Sequence, residues 1–124
     1  MGLDLTIYEE KNFGKDEKGR TTYTMVELEN FRNDVGRTIM DYVGDLSSMS
    51  NCSTVAVDGM DFIEGLKSMK KDKATIEKDG ETYTNQLTSL EYGIEALEGF
   101  IEENELNQQD LDYGDRVYDV HLWY

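Results

Sequence analysis

The chain of 124 residues carries a formal net charge of −15 at pH 7, contains no proline and has a single cysteine. This length is typical of one domain, so we expect a single domain over residues 1–124. One cysteine excludes an intramolecular disulfide and a cysteine-built metal site within one chain, as is typical of a reducing cytoplasm. The sequence has no signal peptide and no apolar run of the ~20 residues that span a bilayer, which predicts a cytoplasmic protein without a membrane segment.

The N-terminal residues predict a strand followed by a hairpin connection. Apolar residues alternate with polar ones over residues 3–7, as in a half-buried strand. Residues 9–20 are polar and include two glycines, which indicates a loop or a hairpin connection. A brief second strand is expected to end near Tyr23.

A long first helix is predicted over residues 25–46. Thr24 and Glu27 have the spacing of a capping box, and apolar residues follow at helical intervals. Gly36 lies inside this predicted helix, where a glycine costs roughly 1 kcal/mol relative to alanine. We therefore expect Gly36 to permit a close packing contact.

The middle of the chain predicts a loop at 47–53, a short strand at 55–57 and a short helix capped by Asp58. Apolar residues recur along one face of that helix, and lysines cluster at its end, where the helix dipole favours cations. Residues 74–84 then have the pattern of a β-hairpin around a Lys-Asp-Gly turn.

The C-terminal part predicts a second long helix over residues 86–105 and a final strand over residues 116–124. Thr88 and Glu91 have the spacing of a second capping box, and an apolar stripe follows the helix. The final segment alternates two sets of side chains and ends in Trp-Tyr, which favours a strand tied into the sheet. Without a regular βαβ rhythm, we expect an α+β fold: a small mixed or antiparallel sheet packed against two longer helices and one short helix.

Motifs for catalysis and metal binding are weak. The single His121 and the single Cys52 have no signal for an orienting group or an oxyanion hole, and no glycine-rich phosphate motif occurs. The segment 110–115 matches a calcium loop only at its start, because Gly114 replaces an oxygen ligand and His121 replaces the closing glutamate. The sequence therefore predicts a protein that is not an enzyme and that holds no metal and no cofactor.

The negative charge is concentrated in the C-terminal third, where residues 79–115 hold 11 acidic residues and no Lys or Arg. In the second long helix, five glutamates spaced 4, 3, 4 and 3 residues apart form one row about 100° from the apolar stripe. This row spans roughly 21 Å, with one charge every ~5 Å against ~3.4 Å per phosphate of one DNA strand. The candidate binding residues are the acidic row (Glu91, Glu95, Glu98, Glu102 and Glu105), its neighbours Glu103, Asp110, Asp112 and Asp115, and the interleaved Tyr92 and Tyr113.

Two interpretations of this acidic surface stay open. Like charges four residues apart each cost a helix roughly 0.2–0.5 kcal/mol, and a solvated face usually offsets that cost with interspersed lysines, which this segment lacks. The surface either solubilises the protein or imitates the nucleic-acid backbone in a basic groove of another protein. In the second case its affinity falls with salt, and the tyrosines serve as interface anchors.

The opening residues Met1-Gly2-Leu3-Asp4, which run directly into a strand, resemble the start of many small phage proteins. The size, the charge, the absence of proline and the single-domain build are similar to those of phage-encoded DNA-mimic inhibitors of the anti-restriction and anti-CRISPR type. This resemblance implies an inhibitor in the cytoplasm of a host cell. Its partner would be the basic nucleic-acid-binding surface of a host defence nuclease or nuclease–guide complex, with no direct binding to nucleic acid.

The alternative function is an acidic regulatory or assembly protein that binds another protein without nucleic-acid mimicry. In that case the acidic row only solubilises, and the apolar stripe over residues 87–101 is available to pair with another helix. That stripe covers about two heptads, whereas coiled coils need three or four, so packing on the sheet is favoured. A small hydrolase that uses paired carboxylates is the least favoured class. Among 27 acidic residues some pair must lie close together, so a close pair of carboxylates is weak evidence for acid–base catalysis.

Overall fold

The computed structural model describes residues 2–80, 84–106 and 117–124. Its elements in chain order are β1 (Asp4–Lys15), β2 (Thr21–Arg32), α1 (Asn33–Tyr42), a 3-10 turn (Leu46–Ser48), β3 (Thr54–Asp58), α2 (Gly59–Asp79), α3 (Thr84–Glu103) and β4 (Val117–Trp123). The prediction of an α+β fold is confirmed. The two longer helices are α2 and α3, and the short helix is α1, so the predicted lengths of the first two helices are exchanged.

The four strands form an antiparallel sheet in the order β2-β1-β4-β3. The central position of β1 follows from its apolar residues: Leu5 lies between Phe31 of β2 and Leu122 of β4, and all three are buried. Among the described residues, the pairing of β1 with β4 ends at Glu9, whereas its pairing with β2 continues to Lys15. The distal half of the β1–β2 hairpin therefore extends beyond the described part of β4.

An aromatic cluster joins the sheet to the two long helices. Phe62 of α2 lies 5.0 Å from Phe100 of α3 and 5.6 Å from Tyr118 of β4, measured between ring centroids. Phe31 of β2 meets Phe100 edge-on at 5.8 Å. All four side chains are buried, and tilted or edge-on pairs are the favoured geometries of aromatic rings. Tyr118 therefore belongs to the core and not to the exposed surface.

The predictions of a loop or hairpin connection over residues 9–20 and of a helix over residues 25–46 are right only in part. The hairpin connection is confined to residues 16–20, because β1 continues to Lys15. The helix is confined to Asn33–Tyr42, because residues 21–32 form β2. The segment Thr-Thr-Tyr-Thr-Met-Val is rich in β-branched and aromatic residues, which fit a pleated surface. Pairing along the whole of β1 overrides the local capping-box signal of Thr24.

The prediction of a hairpin over residues 74–84 is wrong. α2 continues to Asp79 and ends at Gly80, whose φ of 65° is the left-handed conformation of a helix C-cap. The Lys-Asp-Gly sequence that indicated a turn is therefore the end of a helix. The capping box predicted at Thr88 is wrong too, because α3 already begins at Thr84.

Other local predictions are confirmed. Asp58 caps α2, where its carboxylate accepts the Asp61 N–H at 3.0 Å while the Asp61 carboxylate accepts the Asp58 N–H at 3.1 Å. The strand at 55–57, the helix at 86–105 and the final strand correspond to β3, α3 and β4.

Candidate protein-binding surface

Helix α3 buries its apolar stripe and leaves the acidic row at the surface. Leu90, Leu97 and Ile101 are buried, which confirms the predicted apolar stripe. At 100° per residue, the acidic row is centred about 100° from this stripe. A third face, centred about 200° from the stripe, carries Tyr92 and Gly99. Helix α3 therefore presents two different exposed faces, and only the acidic row was recognised from sequence.

The acidic row is shorter than its sequence spacing predicts. Glu91, Glu95 and Glu102 are exposed, and Glu98 is half-buried. Glu105 lies beyond the last residue of α3 and has a φ of 55°, so it leaves the helical path. The helical part of the row thus runs from Glu91 to Glu102, which is roughly 17 Å along the axis.

Two lysines of α2 lie beside the row. Lys70 forms an ion pair with Glu98, and the Lys73 Nζ lies 3.8 Å from Glu91 Oε1. The order of these pairs shows that α2 and α3 run antiparallel, which brings the lysine cluster of one helix against the glutamates of the next. The row lacks cations along the sequence but has them in space, since α2 supplies them at one edge.

The other edge of the surface carries three carboxylates and an aromatic ring. Within the described part of the chain, Glu95, Glu102 and Glu103 form no ion pair, and all three are exposed. Tyr92 is 60% exposed and belongs to the same side of α3. We name Glu95, Glu102, Glu103 and Tyr92 the open acidic edge.

Of the remaining candidates, Asp110, Asp112, Tyr113 and Asp115 lie outside the described residues.

A shallow groove of about 440 Å³ runs along the open acidic edge, between α3 and the junction of β2 with α1. Its lining comprises Glu29 of β2, Val35 of α1, and Tyr92, Glu95, Ala96, Gly99, Phe100 and Glu103 of α3. No sequence pattern on α3 alone could reveal this groove, because one of its walls comes from residues some 60 positions earlier in the chain.

Cys52 and His121, the two residues considered for nucleophilic chemistry, each take part in a hydrogen bond that involves β4. Cys52 is exposed in a turn before β3, where its N–H donates to the Leu122 carbonyl at 2.8 Å. His121 lies on β4 with its Nδ1 2.9 Å from the Thr54 hydroxyl. Cys52 thus lies in the predicted loop at 47–53, and His121 lies in the predicted final strand. Across the described ranges, no group of three or more His, Cys, Asp or Glu side chains could hold a metal ion.

One carboxyl pair on the sheet was missed from sequence. Asp119 of β4 lies opposite Tyr8, and Glu10 follows two residues later on β1. Burial, the charge of Asp119 and a hydrogen bond from the Glu10 carboxyl to Asp119 raise the pKa of Glu10. The pair depends on the register of β1 against β4, which no local motif predicts.

Comparison with protein-family models, with curated proteins and with solved structures finds no match to this chain. In the parts of the chain that are described, no helix combines the length and apolar character needed to cross a bilayer. The feature of α3 on which a functional argument can rest is an edge whose carboxylates have no ion-pair partner among the described residues. Such an edge suits contact with a cationic surface.

Proposed function

We propose that the protein is a non-enzymatic inhibitor of the phage type, which binds a basic nucleic-acid-binding surface of a host defence nuclease or nuclease–guide complex in the host cytoplasm. The observation that carries this proposal is the open acidic edge of α3. Its carboxylates are exposed and uncompensated by the described residues. In this role the edge occupies the place of nucleic-acid phosphates.

Helix α3 holds these carboxylates at fixed spacing. Glu95 and Glu102 are two turns apart, which corresponds to ~10.5 Å along the axis. The helix is anchored by the buried Leu97 and Phe100, so little conformational freedom is lost when a partner docks. A net charge of −15 also steers encounter with a cationic surface.

The lysines of α2 favour one side of α3 as the side that faces the partner. Lys70 and Lys73 partly neutralise Glu98 and Glu91, so a basic groove gains least by contacting that side. The contact is therefore assigned to the open acidic edge, with Tyr92 as its aromatic anchor.

A specific observation supports the alternative of a regulatory or assembly protein. The portion of the β1–β2 hairpin that extends beyond the described part of β4 carries Phe13, Tyr23 and Met25, which are 63%, 49% and 43% exposed. The Phe13 and Tyr23 rings contact each other with centroids 5.9 Å apart. An apolar contact through this hairpin would depend little on salt, which separates the two functions experimentally.

The test compares three tagged proteins in capture from a bacterial lysate, at low and high salt, with bound proteins identified by mass spectrometry. The site variant carries Glu95→Lys, Glu102→Lys and Glu103→Lys. The control carries Glu17→Lys, Glu27→Lys and Glu64→Lys, which change the net charge equally at exposed positions elsewhere. Circular dichroism verifies that each variant keeps the fold.

We expect the wild type and the control to capture a nucleic-acid enzyme at low salt and to release it at high salt or on addition of duplex DNA. The site variant should capture none of that enzyme. Capture that is indifferent to salt, or that falls equally in both variants, would refute mimicry by the open acidic edge.

A further inference from the structure

We propose that the groove between α3 and the β2–α1 junction is a binding site for an arginine side chain of a basic protein partner. The kind of partner rests on the proposed function, whereas the recognition of arginine rests on the groove itself. The groove combines an apolar floor, a carboxylate rim and one exposed aromatic ring.

The floor of the groove is apolar. Phe100 is buried, and Val35 and Ala96 are half-buried, so these three side chains form the deeper part of the lining. Such a floor suits the methylene stem of a long cationic side chain, which buries its carbons while its charged end stays near polar groups.

Three carboxylates surround that floor. Glu95 and Glu103 are exposed on α3, and Glu29 is half-buried on β2, so negative charge approaches from both walls. Within the described residues, no lysine or arginine lines the groove. The charge of the groove is therefore available to a cation from a partner.

Tyr92 selects arginine over lysine. Its ring is 60% exposed at the groove, and a planar guanidinium stacks on an aromatic face while donating two hydrogen bonds to one carboxylate. A lysine ammonium is a compact, strongly hydrated charge that makes neither contact equally well. The combination of ring, carboxylates and apolar floor thus matches guanidinium chemistry.

Gly99 keeps the groove open. A Cβ placed at this position would meet no atom within 4 Å, so a larger side chain fits there without a clash. Leucine at position 99 would lean toward the helix N-terminus, over Glu95 and Ala96, and would cover the floor. It would also improve helix propensity, so the variant Gly99→Leu blocks the groove without threatening the fold.

The experiment is a nitrogen-15 NMR titration of the whole protein with the peptide acetyl-Gly-Arg-Gly-amide at physiological salt. The matched peptides carry citrulline, which has a similar shape without the charge, or lysine. The arginine peptide should give saturable shifts at the amides of Val35, Ala96 and Gly99. We expect at least about tenfold weaker binding with citrulline and about threefold weaker binding with lysine.

The protein variants are Gly99→Leu and, as control, Ser68→Leu, which adds the same side chain at an exposed position of α2. The control should bind the arginine peptide as the wild type does, whereas Gly99→Leu should bind it at least about tenfold more weakly. Equal binding by both variants, or shifts spread evenly over all exposed carboxylates, would overturn the arginine site.

The arginine site and the proposed function fail separately. Glu102 does not line the groove, so Glu102→Lys tests the acidic surface alone and Gly99→Leu tests the groove alone. If the peptide binds at the groove but no nucleic-acid enzyme is captured from lysate, the proposed function is wrong and the arginine site stands. If the enzyme is captured but the peptide shifts no groove amide, the arginine site is wrong and the proposed function stands.

Discussion

Lys70 of α2 and Glu98 of α3 form an ion pair at the border between the lysine cluster and the acidic row. Both side chains keep about half of their surface in water, with exposed fractions of 53% and 41%. Pairs of this kind contribute roughly 0.2–1 kcal/mol to stability. The main consequence of the pair is therefore local charge, since it removes one carboxylate from the surface that a cationic partner meets.

Lys70→Gln should strengthen the capture of a basic partner by roughly two- to fivefold. The substitution releases the Glu98 carboxylate and extends the acidic surface toward α2. The measurement is the dissociation constant of the captured enzyme across a salt series. Lys67→Gln is the control, because it removes the same charge from an exposed position of the same helix. Equal strengthening by both variants would mean that net charge alone decides the affinity.

A matched pair of glycine substitutions tests the packing of α1. A Cβ at Gly36 would lie 2.7 Å from both Leu3 Cδ2 and the Phe31 carbonyl oxygen. The carbonyl belongs to the backbone and cannot move aside cheaply, so Gly36→Ala should lower the free energy of unfolding by roughly 1–3 kcal/mol. Chemical denaturation measures the change.

Gly99→Ala is the reference for that experiment. It is also a glycine-to-alanine change inside a helix, but at a position with no atom within 4 Å. It should raise the free energy of unfolding by roughly 0.5–1 kcal/mol, because alanine is the better helix former. A Gly36→Ala protein as stable as the Gly99→Ala protein would show that α1 does not closely approach Leu3 and the Phe31 carbonyl of β2.

Sequence patterns predicted the elements whose signals are local and consistent. The apolar stripe of α3 and the alternation of β4 each carry one clear period, and the Asp58 cap lies directly before a periodic segment. The predictions failed where a local signal competed with distant pairing. Thr24 and Glu27 satisfy a capping box, yet the chain pairs as a strand with β1, which lies outside any local window.

In the candidate surface, too, local features were predictable from sequence and features that depend on packing were not. The positions of the glutamates along α3 were predictable, because they depend only on helical spacing. The ion pair of Lys70 with Glu98 and the wall that Glu29 adds to the groove were not, since both require knowledge of how separate elements pack. Charge along a sequence is therefore a poor measure of the charge that a partner meets in space.

The hydrogen bond between α1 and α2 has a pH dependence that can be measured. The Tyr42 hydroxyl donates to the Asp72 carboxylate at 2.7 Å. Burial, that hydrogen bond and the nearby charges of Asp72 and Asp41 together raise the pKa of Tyr42 from 10.0 to about 12. All of these effects favour the neutral phenol, so the folded protein holds this proton at a pH where the unfolded chain has released it.

The stability that the Tyr42 phenol contributes should be fully present below pH 10 and should decline as the pH rises toward about 12. At pH 7, Tyr42→Phe should lower the free energy of unfolding by about 1 kcal/mol, since it removes the hydrogen bond. Between pH 10 and pH 12 that difference should shrink, because the wild type alone loses the contribution. Urea denaturation of both proteins across this range checks the prediction.

Tyr23→Phe, at an exposed position of β2, is the control and should follow the wild type. A wild-type advantage that stays constant up to pH 12 would contradict the role of the Tyr42 proton.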